Sequence, residues 1–419
     1  MPRSIATRRQ ALTAFASFAS FPFCGLAAPR PLTDRRNANV AYGKDTLPSG
    51  IRSRYVDNNS GVRMHVLEGG FENPGRPCAV LLHGFPELAY TWRHQLLPLA
   101  EAGFHVVAPD LRGVGRSASQ PVTFDDDVLP YSLLNRVSDV LGLVRALGYH
   151  RVAAIVGHDW GGPTAAWCGV LRPEVFQSVV LMSTPFGGTA ELPFDTANHT
   201  RTIKPEVDIE KKLAALPRPR RHYQWYSATR GANADLWQAP QGVHDLLRAL
   251  YYYKSADWAG NHPFPLKSWT AAELAKMPAY YIMDLKKGIA ETVAEQMPSP
   301  EYVAACRWMT EADLRVYASE YGRTGFQGGL NRYRIFDVAG DLNIFAGRTL
   351  DVPTCYIAGA REWGVYQTPG AFEAMKRGAC TKLMGVHLVK GAGHSVAEEQ
   401  AEEVNRLLIE FLQRAKTAA

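Results

Sequence analysis

The 419-residue sequence has only six cysteines, and they are scattered: Cys24, Cys78, Cys168, Cys306, Cys355 and Cys380. None forms a C-x-x-C pair, which argues against a zinc site. Cys24 would leave with a leader, and the odd number that remains argues against a disulfide framework. Cys78, Cys168 and Cys355 fall in apolar segments and read as buried free thiols. One bridge through Cys306 or Cys380 is left open. The chain also lacks a Lys/Arg cluster interleaved with aromatics, which excludes nucleic acid as a partner. The formal charge is +6, but residues 1–28 hold Arg3, Arg8 and Arg9 and no acid, so without them +3 remains. There is no internal repeat. A composition of 46% hydrophobic and 21% charged residues excludes disordered and fibrous classes.

What the N-terminus does have is a sorting pattern. Thr7-Arg8-Arg9-Gln10-Ala11-Leu12 is a twin-arginine motif, followed by an apolar stretch from Ala14 to Leu26 and then Ala27-Ala28-Pro29. Basic, then apolar, then small residues make an export signal, expected over 1–28. The apolar part is too short and too rich in Ala and Ser to span a bilayer, so no stable membrane anchor is expected after cleavage. Phe21-Pro22-Phe23-Cys24 is a poor lipobox. The expected destination is the periplasm or the exterior, reached by the folded protein. Residues 29–50 are polar and irregular and read as an N-terminal arm.

From residue 51 the pattern alternates. Strands are expected at Ile51–Tyr55, Val62–Glu68, Cys78–Leu82, Phe104–Ala108, Val152–Val156 and Phe176–Met182. Helices are expected at Tyr90–Ala102, Ser132–Leu147 and Pro163–Leu171. The rhythm breaks near Pro185 and resumes with Thr354–Ala358, a helix near Ala371–Arg377, Leu383–Val389 and the amphipathic Ala401–Arg414. Between them, 186–344 is rich in Trp, Tyr and Pro, with helical patches at Val243–Tyr253, Ala271–Met277 and Glu311–Tyr321. This predicts an α/β core from 51–185 and 345–415, with a mostly parallel sheet covered on both faces, interrupted by a helical cap over 186–344.

The chemistry centres on Gly157-His158-Asp159-Trp160-Gly161-Gly162, between the strand at 152–156 and the helix after it. This is the nucleophile-elbow pattern of the α/β-hydrolase fold, with Asp159 in the nucleophile's place. The turn is so sharp that side chains at 157 and 161 would collide with backbone, hence glycine. An aspartate is already anionic at neutral pH and attacks an electrophilic carbon to form an ester without help from a base. Upstream, His83-Gly84-Phe85-Pro86 follows a buried strand, where this fold places an oxyanion hole. The expected donors are the N–H groups of Phe85 and Trp160, and Pro86 is a candidate for a cis bond. The base should be a late histidine, His394, in Gly391-Ala392-Gly393-His394. Glu362 follows the preceding strand and is the candidate to orient it, with Asp351 in reserve.

Three segments together resemble the epoxide hydrolases of the α/β-hydrolase superfamily: His83–Pro86, Asp110–Ser117 and Gly157–Gly162. Haloalkane and haloacetate dehalogenases share much of this set, and the cap separates the two. Gly325-Phe326-Gln327-Gly328-Gly329-Leu330-Asn331-Arg332-Tyr333-Arg334 resembles the epoxide-hydrolase lid segment. By that resemblance one catalytic tyrosine falls shortly before it, on Tyr317. Its partner falls in His222-Tyr223-Gln224-Trp225-Tyr226, on Tyr223, with His222 as a competitor for the place. Tyr226, Tyr321 and Tyr251–Tyr253 also compete. Two converging phenols suit an epoxide, whose oxygen needs hydrogen bonds and then a proton. Glu362 departs from the family's usual Asp, and Ser395 from its usual bulky residue after the histidine.

These readings imply an enzyme that opens an epoxide with water to a vicinal diol, without metal or organic cofactor. The alternatives are a dehalogenase using the same aspartate and, less favoured, a non-catalytic binding protein on the same fold.

Overall fold

The computed structural model describes residues 46–118, 120–190, 205–335 and 342–418. The expected export signal at 1–28 and most of the arm, 29–45, lie outside the described residues. The strands are β1 (Arg52–Asp57), β2 (Arg63–Gly69), β3 (Cys78–Leu82), β4 (His105–Pro109), β5 (Ala154–His158) and β6 (Val179–Met182). After the insertion come β9 (Thr354–Gly359) and β10 (Leu383–Val389). They form one eight-stranded sheet in the order β1-β2-β4-β3-β5-β6-β9-β10. The β1–β2 and β2–β4 pairs are antiparallel and the others parallel. The central strands β3, β5 and β6 are buried along their whole length because helices cover both faces. The mostly parallel sheet, covered on both faces, that the strand–helix rhythm predicts is the one found.

Two elements differ from expectation. β5 runs on to His158, opposite Met182 of β6, while Val152 makes only an isolated bridge to Phe176. The strand therefore feeds directly into the elbow. The helix expected over Tyr90–Ala102 is split into a 3-10 turn, Ala89–Trp92, and a helix, Leu96–Glu101. Pro98 has no N–H for the carbonyl of His94, so it fits only in a first turn. That carbonyl accepts instead from Asn405 Nδ2 at 2.9 Å. Cys78, Cys168, Cys306, Cys355 and Cys380 are all free thiols, so neither Cys306 nor Cys380 forms a bridge.

Between β6 and β9 the described residues are mostly helical, with one two-stranded ribbon that sequence reading did not anticipate, β7 (Arg220–His222) with β8 (Ile282–Asp284). The ends of the insertion are stitched together: Gly347 N–H donates to Ala190 C=O at 2.7 Å and Thr189 Oγ1 to Arg348 C=O at 2.8 Å. Among the described residues no helix is long and apolar enough to cross a membrane.

The cap helix Gln327–Arg334 sits against the core through glycine. A Cβ on Gly328 would lie 1.8 Å from Gly113 C=O, and one on Gly329 would lie 2.3 Å from the Phe85 ring. Gly328→Ala should therefore push the helix away and lower the unfolding free energy by about 1–3 kcal/mol, the usual range for overpacking. Denaturant unfolding of the variant measures this, and a wild-type midpoint would refute the close approach.

Candidate active site

Asp159 sits at the end of β5 with φ +48°, in the left-handed region that side chains other than glycine rarely adopt. Such a residue costs roughly 1–3 kcal/mol and persists only where its surroundings fix it. Here they do. A Cβ on Gly157 would meet Gly161 C=O at 2.1 Å, and one on Gly161 would meet Leu82 C=O at 2.3 Å. The backbone is thus folded tightly on itself, and the helix Gly161–Leu171 starts immediately after Trp160. Asp159 Oδ1 accepts from Phe85 N–H at 2.9 Å. Phe85 precedes Pro86 through a cis peptide bond, as the turn suggested. His83 anchors the same loop, its Nε2 accepting from Leu111 N–H at 3.0 Å. Burial, reinforced by Arg332, lowers its pKa to about 4 and keeps it neutral.

His394 lies on the loop after β10 with Nε2 3.9 Å from Asp159 Oδ2. Its Nδ1 is 2.9 Å from Glu362 Oε2. Glu362 also accepts from Gly364 N–H and, at 3.2 Å, from the Tyr281 hydroxyl. Burial alone would raise its pKa, but His394 outweighs this and holds the carboxyl near 2. Glu362 at the end of β9 therefore reaches the histidine, and the extra methylene relative to Asp is accommodated. The His394 loop is fixed in turn by Glu399. Its Oε2 accepts from Gly393 N–H at 2.9 Å and Ala256 N–H at 2.8 Å, and its Oε1 from Ser395 N–H at 3.0 Å. Ser395 thus supplies no bulk but is held through its backbone.

A second ion pair lies beneath. His158 Nδ1 is 2.7 Å from Glu87 Oε1, and His158 Nε2 is 2.7 Å from the His394 carbonyl. Glu87 Oε2 accepts from Gly84 N–H at 2.7 Å. Burial disfavours the imidazolium, but Glu87 more than offsets it and raises His158 to about 9. Burial likewise disfavours the Glu87 carboxylate, and His158 holds it near 2. Glu87, His158 and His394 bring possible metal ligands within 4.8 Å of one another. His158 Nδ1 already lies against Glu87 Oε1, and its Nε2 against the His394 carbonyl.

Above Asp159 a cavity is lined by Phe85 and Pro86 from the core and by Tyr223, Tyr281 and Tyr333 from the cap. Apolar side chains such as Leu250 and Met283 complete it. The Tyr223 and Tyr333 rings meet edge-on at 5.8 Å, and their hydroxyls interact. Tyr333 also packs on Trp160 at 5.0 Å and interacts with its side chain. Burial first, then the negative charge of Asp159, raises the Tyr223 pKa. Tyr333 is pushed well up by burial, then by Tyr223 and Asp159. Both phenols are therefore hydrogen-bond donors facing a carboxylate.

Comparison with known proteins agrees with this geometry. Residues 80–274 match a family described as alpha/beta hydrolase fold. The chain is 33% identical to Epoxide hydrolase A of Mycobacterium tuberculosis over 366 residues, covering 86% of this chain and 96% of that one. The chain belongs to the epoxide hydrolases of the α/β-hydrolase superfamily. Epoxide hydrolase 3 of Siraitia grosvenorii is 29% identical, over 85% and 97% of the two chains. Among solved structures, an epoxide hydrolase from an endophytic Streptomyces superposes with a TM-score of 0.70 at 31% identity, covering 88% and 97%. Epoxide Hydrolase A from Mycobacterium thermoresistibile gives 0.67 at 30% identity, covering 87% and 98%.

One expected site residue of this epoxide hydrolase is elsewhere. Tyr317 does not line the cavity. Its hydroxyl donates to Glu398 Oε1 at 2.9 Å and lies 3.0 Å from Thr91 Oγ1, in a buried polar cluster where core and cap meet. The residue facing Asp159 is Tyr333, inside the lid motif rather than before it. His222 stacks behind Tyr223 at 5.2 Å and does not line the cavity. Tyr251 donates to Pro86 C=O at 2.6 Å, and Tyr321 to Glu87 C=O at 2.9 Å. Glu87, His158, Tyr281 and Glu399 were also missed. Glu87 directly follows the quoted His83–Pro86 motif, and His158 is the unspecified position of the elbow.

The His158 pair predicts a pH dependence. His158 is raised from 6.5 to about 9, so its share of stability is complete below 6.5 and is lost as pH rises through about 9. Glu87 acts at the other end: lowered from 4.5 to about 2, its share is present above 4.5 and lost as pH falls through about 2. Urea unfolding across the alkaline interval should show the wild type losing more stability than His158→Gln. Parallel pH curves would count against a charged His158.

Proposed function

We propose that the protein hydrolyses an epoxide to a vicinal diol through a covalent ester on Asp159. The observation that carries this is a single carboxylate held on one side by Phe85 N–H, facing His394, and lying in one cavity with two protonated phenols. The carboxylate oxygen not bound by Phe85 attacks a ring carbon as the carbon–oxygen bond breaks. The leaving oxygen takes a proton from Tyr223 or Tyr333, whose raised pKa values keep that proton in place until the oxygen becomes basic.

The ester is then cleaved by water. His394 Nε2, which makes no hydrogen bond among the described residues, takes the proton from water. The water oxygen adds to Asp159 Cγ, and negative charge gathers on Oδ1 at Phe85 N–H, with Trp160 N–H as the second donor. Collapse expels the diol alkoxide, which takes the proton back from His394, and the proton left on the new Asp159 carboxyl returns through solvent to the phenolate formed in the first step, which restores both groups. Glu362 stays anionic throughout and balances the imidazolium. A dehalogenase would use the same Asp and His, but the paired phenols favour an oxygen leaving group that must be protonated.

Two experiments test this reading. In heavy-oxygen water a single turnover should place the label in the Asp159 peptide and leave the first diol formed unlabelled; label in that diol would exclude the ester. Tyr333→Phe and Tyr223→Phe should each slow epoxide opening by about 10²–10⁴-fold, the range for a general acid. Tyr317→Phe should leave opening close to the wild-type rate, and the reverse ranking would refute the assignment.

Export is proposed on the twin-arginine pattern alone, with residues 1–28 carrying the folded protein to the periplasm or beyond. Changing Arg8 and Arg9 together to Lys should leave active protein in the cytoplasm. Unchanged fractionation would argue against that route.

A further inference from the structure

Two arginines lie buried behind the elbow with no ion pair to a carboxylate among the described residues. Arg332 is 1% exposed and Arg136 7%. Arg136 Nη1 donates to Thr164 Oγ1 at 3.0 Å and to Trp160 C=O at 3.3 Å, and its Nε is unmatched. Arg332 Nε and Nη1 have no partner among the described residues. Both side chains line one small space, together with Arg112, Tyr131, Asp139 and Thr164.

Asp139 does not neutralise them. Its Oδ1 and Oδ2 are taken by Arg112 at 2.6 and 2.8 Å, and Oδ1 also accepts from Asn58 at 3.2 Å. Three arginines and one aspartate leave the lining with two uncompensated positive charges. Asp159 acts on Arg332 only at a distance, since its oxygens face Phe85 and His394. Asp110 is held by His65, Ala89 and Arg116. Burying a cation without a paired charge is strongly unfavourable, and folded proteins rarely leave one so.

We propose that a monatomic anion, chloride in ordinary buffers, binds between Arg136 and Arg332 as a structural ligand. The space is about one water molecule or one halide ion in size, which excludes phosphate and organic anions. Arg136 and Arg332 both line it, and each carries N–H groups unmatched among the described residues. The site joins the two halves of the molecule. Arg136 grips the carbonyl of the residue after Asp159, while Arg332 precedes Tyr333 on the cap helix. The anion thus secures the nucleophile's elbow against the helix that carries a cavity-lining phenol. This goes beyond the epoxide reading, and its readouts do not depend on turnover.

The test uses the full-length protein exchanged into sodium gluconate. Melting temperature is followed as sodium bromide replaces gluconate at constant ionic strength, and crystals soaked in the same bromide are measured at the bromine absorption edge. An anomalous peak between the two guanidinium groups is expected. With it should come a saturable rise in melting temperature that Arg332→Met lacks, because a ligand bound only by the folded state stabilises it by mass action. Water at that position in bromide overturns the proposal, as does a melting temperature indifferent to the exchange. The bromide peak needs no variant, so a poorly folding Arg332→Met would not blunt the test.

Discussion

The contact between Glu87 and His158 lies where three loops converge, and the geometry of the site depends on it. Glu87 holds Gly84, next to the donor Phe85; His158 is the residue before Asp159; and His158 also holds the carbonyl of His394. A buried ion pair is seldom a large net source of stability, because desolvation of both groups opposes their attraction. Its value here is positional. With His158 paired to Glu87 and bonded to the His394 carbonyl, and Glu87 bonded to Gly84 N–H, the oxyanion loop, the elbow and the histidine loop are tied to one another. The strained φ of Asp159 is then imposed by its neighbours and is not relieved by a small shift of one loop.

A second buried charge system does the same for the cap. Arg93, in the core, meets Glu398 and lies 3.1 Å from Asp313 at the start of the cap helix Glu311–Thr324. Tyr90 donates to Asp313 at 2.7 Å, and Tyr317 donates to Glu398. Here one guanidinium serves two carboxylates. Burial still pushes Glu398 up to about 6, since one shared cation does not fully offset desolvation. Arg136 and Arg332 differ from Arg93 in charge partners: the same fold that pairs one buried arginine with two carboxylates leaves these two without one among the described residues.

The core was legible in the sequence where steric rules leave few choices. Gly157 and Gly161 are glycine because a Cβ at either would strike backbone, so the elbow and Asp159 could be read from spacing. Glu362 and His394 followed from chain order and the ends of two apolar strands. The cap was less legible because two tyrosines sixteen positions apart, Tyr317 and Tyr333, look alike in a helical pattern. Which one faces Asp159 is set by how closely the helix Gln327–Arg334 approaches Gly113 and Phe85, a contact between residues far apart in the chain. Glu87 was missed for a related reason. Nothing local distinguishes a structural carboxylate from a solvated one until its partner His158 is brought beside it.

In the proposed reaction, the proton donors and the proton acceptor lie in different surroundings. Tyr223 and Tyr333 are buried beside a carboxylate, and both influences raise their pKa values, so each hydroxyl keeps its proton. On the other side, His394 has a buried anion against Nδ1 and an Nε2 unmatched among the described residues. Asp159 lies between the two environments, and its two oxygens divide accordingly. Oδ1 is held in the donor loop where charge would gather, and Oδ2 lies 3.9 Å from the base. The chemistry open to this aspartate is therefore set less by the elbow that carries it than by the two tyrosines above it and the charges packed beneath.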